Sequence, residues 1–181
     1  MRWVGFAILV YVTLLVQTTV AAILFRLELL GPIVPDLAAI VAVFIALSAR
    51  RGPDAMIAAW ILGLGMDLMI CGGGGAQTAV GPMAIAYALS AALVYRVREA
   101  FFYDRPLAQV LLTVLFCLAA HLGWVTLQTL LGFTWSGYGS WLLKAVGISL
   151  YTAVLAPFVC LGLKRCGRWF LVTPVGRQRQ R

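Results

Sequence analysis

Six apolar stretches, set apart by short polar breaks, constrain the chain more than any other feature. They are Trp3–Phe25, Ile33–Ala49, Asp54–Ile70, Thr78–Tyr95, Pro106–Leu131 and Ser140–Leu163. A helix needs about 20 apolar residues to cross a hydrocarbon core of about 30 Å. The second and third stretches are short for this and are expected to thin the bilayer locally or pack obliquely. Only 11% of the 181 residues are charged, against about 25% in soluble domains. Alternating polar and apolar ten-residue segments are missing, which disfavours a transmembrane barrel. The expected fold is therefore all-α, a polytopic membrane protein of six transmembrane helices. It is a single domain over residues 1–165 with a basic cytoplasmic tail over 166–181.

Charge placement gives the orientation. Of the 14 Lys and Arg residues, all but Arg26 and Lys144 fall at one set of alternating ends: Arg2, then Arg50 and Arg51, then Arg96, Arg98 and Arg105, then Lys164, Arg165, Arg168 and the tail. Positive charge is retained in the cytoplasm. Six crossings with both termini inside satisfy this pattern, and five would break it. The "TTVAA" segment resembles a signal-peptide end, but the apolar run before it is long, and an uncleaved first helix is expected. The net charge of +8 sits at helix ends and in the tail, where it serves topology and contact with anionic lipid. No basic surface interleaved with aromatics points to nucleic acid. Cys71, Cys117, Cys160 and Cys166 share no metal-type spacing and are read as small apolar side chains.

Several polar residues fall inside the apolar stretches. Gln17, Asp67 and His121 each lie about 20 Å along their helices from the cytoplasmic boundary, at 1.5 Å per residue. Lys144 lies about 6 Å below the outer boundary, and Asp36 opens the second stretch from the outer side. Together they form a polar layer in the outer half of the membrane. Ionisable residues at such depth face a bundle interior and have partners, so Asp67 is expected to meet Lys144 or His121. Each residue also has a purely structural reading. Lys144 can snorkel to head groups. Gln17, with Thr18 and Thr19, can bond across helices, as can His121. Asp36, after Pro35, can accept free N–H groups at the start of a helix. Ala59, Gly63 and Asp67 recur at four-residue spacing and share a helix face, where small residues admit a close neighbour. The Gly72–Gly75 run cannot continue a stable helix and is either an outer loop or a re-entrant turn. Pro82 suits the start of a helix, and Pro157 a kink. Phe133, Trp135 and Tyr138 are interfacial anchors or a docking surface.

These features together resemble the MreD family of bacterial rod shape-determining membrane proteins. The resemblance rests on "VPDLAAI" (Pro35, Asp36, Leu37), "GLGMDL" (Gly63, Asp67, Leu68), "GGGGAQTAVG" and "AYAL" (Ala86, Tyr87), with Asp36 and Asp67 separated by 31 residues. It is tight over residues 33–98. The longer glycine run and the basic tail depart from the family pattern. The resemblance implies a fold similar to the substrate-binding subunits of energy-coupling-factor transporters. It also implies a place in the inner membrane and a non-catalytic role in the elongasome, which directs lateral peptidoglycan synthesis. The implied partners are MreC and, through it, MreB, a SEDS glycosyltransferase and a class B penicillin-binding protein. No cofactor, metal or catalytic residue is expected. The alternative is a substrate-binding membrane subunit of a vitamin transporter, for which a polar layer under a glycine loop would make a pocket. A membrane enzyme would have to rely on Asp67 with His121, the one candidate acid–base pair.

Overall fold

A computed structural model describes residues 3–21, 33–49, 51–72, 79–98, 106–132 and 138–170. Arg50, Arg105, Phe133, Trp135, the glycine run from Gly73 and the tail beyond residue 170 lie outside the described residues, as do the side chains of Lys164 and Arg168. Among the described residues the fold is all-helical. The elements are α1 (Trp3–Val16), extended by a π-helical turn (Gln17–Ala21), α2 (Leu37–Ser48), α3 (Gly52–Gly72), α4 (Pro82–Val97), α5 (Pro106–Leu130) and α6 (Tyr138–Phe170). Each apolar stretch of the sequence corresponds to one helix. α6 outlasts its stretch and carries the helix past residue 165 into the expected tail. Little in Cys166–Phe170 opposes helix except Gly167, and the first proline beyond it is Pro174.

Among the described residues, three spans are long and apolar enough to cross a membrane: Gly52–Ile70, Leu107–Leu130 and Tyr138–Leu163. Val4–Thr19, Leu37–Ser48 and Pro82–Val97 are shorter apolar helices. Many large apolar side chains point outward from the bundle, among them Leu89, Leu107, Leu143, Val154 and Phe158. Such a surface suits lipid rather than water, and the protein has the character of a membrane protein.

The helices form a ring around α2. α1, α3, α4, α5 and α6 each touch the next, α6 returns to α1, and α2 touches all five. Its 12 residues span about 18 Å, and Ala38 through Val43, Ile45 and Ala46 are buried. Alanines on several sides let the surrounding helices come close, while Ile40, Val43 and Ile45 fill the gaps. Around α2 the core includes Phe6 and Leu9 from α1, Leu62 from α3, Tyr87 and Val94 from α4, and Leu112 and Phe116 from α5. Tyr87 meets Phe116 edge to face, with centroids 5.2 Å apart.

The most extensive pairing is between α3 and α4. Ala55, Ala58, Ala59 and Leu62 are buried on α3. At Gly63 a Cβ would lie 2.7 Å from the Met83 carbonyl oxygen and 2.8 Å from Ala84 Cα. The two backbones are thus in direct contact, which only glycine permits. Gly65 differs, because a Cβ there would meet the Leu14 Cδ1 methyl at 2.7 Å, the end of a side chain that can turn aside. Gly63→Ala is therefore expected to lower stability by about 1–3 kcal/mol, and Gly65→Ala by clearly less. Denaturant titration of the purified protein in mixed micelles checks the pair. Equal losses would mean that the close approach at Gly63 does not set the α3–α4 contact.

Candidate functional site: two buried helix heads

α2 and α4 both begin in the interior, and each start is built from a carboxylate and a glutamine. The first four N–H groups of a helix have no partner within it, and in an apolar interior water does not supply one. At the head of α2, Asp36 is the N-cap, its Oδ1 accepting from Ala39 N at 2.9 Å. Gln17, on the π-helical turn that ends α1, grips the backbone on either side of Asp36. Its Nε2 donates to the Pro35 carbonyl at 2.9 Å, and its Oε1 accepts from Leu37 N at 2.8 Å. The Asp36 N–H donates to Thr152 Oγ1 of α6 at 2.9 Å. Asp36 Oδ2 accepts the hydroxyl of Tyr87 from α4 and lies 3.6 Å from Nε2 of His121 on α5. Four helices thus converge on the start of the fifth.

At the head of α4 the carboxylate comes from another helix. Asp67, buried on α3, directs Oδ2 at three backbone groups: Gly81 N at 2.9 Å, Met83 N at 3.0 Å and Ala84 N at 3.2 Å. Pro82, which has no N–H to satisfy, occupies the first turn. Gly81 takes φ +115°, a left-handed conformation that favours glycine. Gln128 of α5 holds the preceding backbone, accepting from Ala79 N at 3.1 Å and donating to Ala79 O at 3.0 Å. The indole N–H of Trp124 is on the Asp67 side of α5 but makes no bond of normal length. Trp124 itself packs edge to face on Trp141 at 5.7 Å.

The polar layer is therefore split between two sites. Gln17, Asp36 and His121 come together at the head of α2. Asp67 heads α4, and the charge partner expected for it is replaced by peptide N–H groups, which sequence spacing does not display. His121 faces Asp36. Lys144 stands over the Trp141 ring, 5.0 Å from its centroid, in a cation–π contact. Beside Gln17, Thr18 donates to the carbonyls of Leu14 and Leu15 of its own helix, and Thr19 to that of Leu15. The buried Thr13, Ser90, Thr113 and Ser149 do likewise to the residue four earlier, the usual way a helix satisfies such groups.

Among the basic residues, Arg51, Arg96 and Arg165 are exposed. Arg98, assigned from sequence to topology and lipid contact, is taken up within the fold. Its Nη1 donates to the carbonyls of Ala46, Leu47 and Ala49 at 2.9, 3.1 and 2.8 Å. It thereby caps the end of α2 while its guanidinium lies over the Tyr95 ring, 3.9 Å from the centroid. Sequence reasoning missed this role, together with those of Gln128, Thr152 and Trp124. Gln128 had a usable signal, since it lies seven residues after His121 and so on the same helix face.

Among the described residues, the fold and these sites define an all-helical protein of membrane character whose two buried carboxylates, Asp36 and Asp67, serve helix starts. No family model matches the chain, and neither the curated proteins nor the solved structures give a match.

Removing the Asp67 carboxylate strands three N–H groups at once. Asp67→Ala is expected to cost at least about 2 kcal/mol, since each buried unsatisfied group costs about 1–3 kcal/mol. Asp67→Asn keeps one accepting oxygen and is expected to cost about 1 kcal/mol. Thermal unfolding in detergent, followed by loss of helical circular dichroism, ranks the two. If alanine were no worse than asparagine, capping would not be what Asp67 does.

Proposed function

We propose that the chain is a non-catalytic membrane scaffold of the bacterial elongasome, of the MreD type. It crosses the cytoplasmic membrane six times with both termini inside and supports lateral peptidoglycan synthesis by holding MreC. The observation that carries this reading is the convergence of the residues on which the resemblance rests. Asp36, next to Pro35, accepts from Tyr87. Gly63 lies against Met83, Ala84 and Tyr87. Asp67 caps the helix that carries Tyr87. Residues scattered over two motifs and a third helix thus form one connected structural unit, as they would if the motifs marked a fold maintained for assembly. The distribution of basic residues supports the six-span path.

The same geometry weighs against a vitamin-binding subunit. Of the polar groups that would line such a pocket, Gln17, Asp36 and Asp67 are engaged on helix ends, where a ligand would have to displace them.

Affinity purification of the tagged protein from native membranes in mild detergent tests the proposal. Recovery of MreC together with cell-wall synthases is expected. Recovery of an ATPase with a transmembrane coupling subunit would overturn it in favour of a transporter.

A further inference from the structure

We propose that Asp36, Tyr87 and His121 form a buried proton-binding site, in which His121 is held as an imidazolium paired with the Asp36 carboxylate. The hydrogen-bond inventory of the ring leads to this. His121 Nδ1 lies 2.8 Å from the Cys117 carbonyl oxygen. A carbonyl oxygen only accepts, so Nδ1 carries a hydrogen. A neutral ring would then present a bare, accepting Nε2, and Nε2 faces Asp36 Oδ2 at 3.6 Å.

The groups bonded to the Asp36 carboxylate all donate to it, and an ionised carboxylate only accepts. Oδ1 takes the Ala39 N–H, Oδ2 takes the Tyr87 hydroxyl, and the group sits at the positive end of the α2 dipole. A bare Nε2 would therefore oppose lone pair to lone pair and leave a buried negative charge without a counter-charge. A proton on Nε2 turns that opposition into an ion pair. Tyr87 cannot fill the same need, because its one hydrogen is already given to Oδ2.

Among the described residues no other cation is in place to do so. Lys144 is engaged on Trp141 and Arg98 on the opposite end of α2. The titratable groups that face the pair are Tyr87 from α4, Cys117 from α5 and, further off, Asp67 from α3. From α1 and α6 the groups at this head are the uncharged Gln17 and Thr152. The bound proton thus joins α5 to the head of the central helix. Its departure leaves Asp36 charged and unbalanced, and frees α2 from one of the helices around it.

The chain contains a single histidine, so protein labelled with 15N-histidine and reconstituted in lipid reports on this ring alone. Solid-state NMR is recorded in mildly alkaline buffer, where an unperturbed histidine is neutral. Both ring nitrogens are expected to be protonated in the wild type, with Nε2–H correlated to the Asp36 carboxyl carbon. In Asp36→Asn, where asparagine still caps α2, the ring is expected to become neutral. In Tyr87→Phe, which removes a competing donor, it is expected to stay charged. A wild-type ring with bare Nε2 overturns the proposal, and so does an imidazolium unaffected by Asp36→Asn. If that variant does not fold, the wild-type spectrum and its carboxyl correlation decide alone.

Discussion

The fold depends on closing both ends of a helix that stops short inside an apolar body. α2 is too short to reach two aqueous surfaces by itself, and it is surrounded by five other helices. Its first N–H groups and last carbonyls would each cost free energy if left unpaired there. The chain closes the first end with Asp36, Gln17 and Thr152, and the last with Arg98. An anion at the N-terminus and a cation at the C-terminus are also the signs that the helix dipole favours. Because the groups at the head come from α1, α4, α5 and α6, satisfying α2 also fixes where those helices stand. Apolar packing in lipid is poor at choosing among similar arrangements, since lipid tails compete for the same contacts. Directional bonds at the ends of α2 supply the selectivity that packing lacks.

The head of α4 repeats this chemistry with different connectivity. There the carboxylate is supplied in trans by α3, and the glutamine by α5. The arrangement explains why a charge near the end of α3 is compatible with an apolar neighbourhood. Asp67 needs no cationic side chain, because three peptide dipoles aim at one oxygen. It also explains the company it keeps on its helix face. Gly63, one turn earlier, lets the α4 backbone come close enough for those N–H groups to be within reach. The small residue and the charged one are two parts of a single contact.

Much of this was legible in the sequence, and what was not shares a physical cause. Apolar runs bounded by Pro, Gly and charge located all six helices, and Pro82 marked the start of α4 through its missing N–H. Polarity within apolar stretches singled out Gln17, Asp67 and His121 for one expected layer, which the structure divides between two helix heads. Partnership within the layer could not be read the same way. Asp67 binds peptide groups, which every residue carries and no sequence pattern distinguishes. Arg98 looked like one more basic residue at a helix end, since its role depends on α2 ending beneath it. Gln17 does bond across helices, while Thr18 and Thr19 beside it turn to carbonyls of their own helix. Gln128 and Thr152 carry no charge to set them apart in an apolar stretch, although burial makes them as consequential as the carboxylates.

The burial of the motif residues also bears on where a partner can attach. Asp36, Asp67 and Tyr87 are 2%, 1% and 0% exposed, so none of them can touch another protein directly. Whatever the chain assembles with must meet it on the outer faces of the ring or on segments between helices. Those faces are apolar, from Tyr11 on α1 to Leu161 on α6, and contacts there form by shape against competing lipid. Shape on that surface follows from how the ring is set around α2. A substitution at a helix head can therefore weaken assembly without lying at the interface, by changing the angle at which an outer helix is presented. Loss of a complex in an Asp36 or Asp67 variant would accordingly locate the support of the interface and not the interface itself.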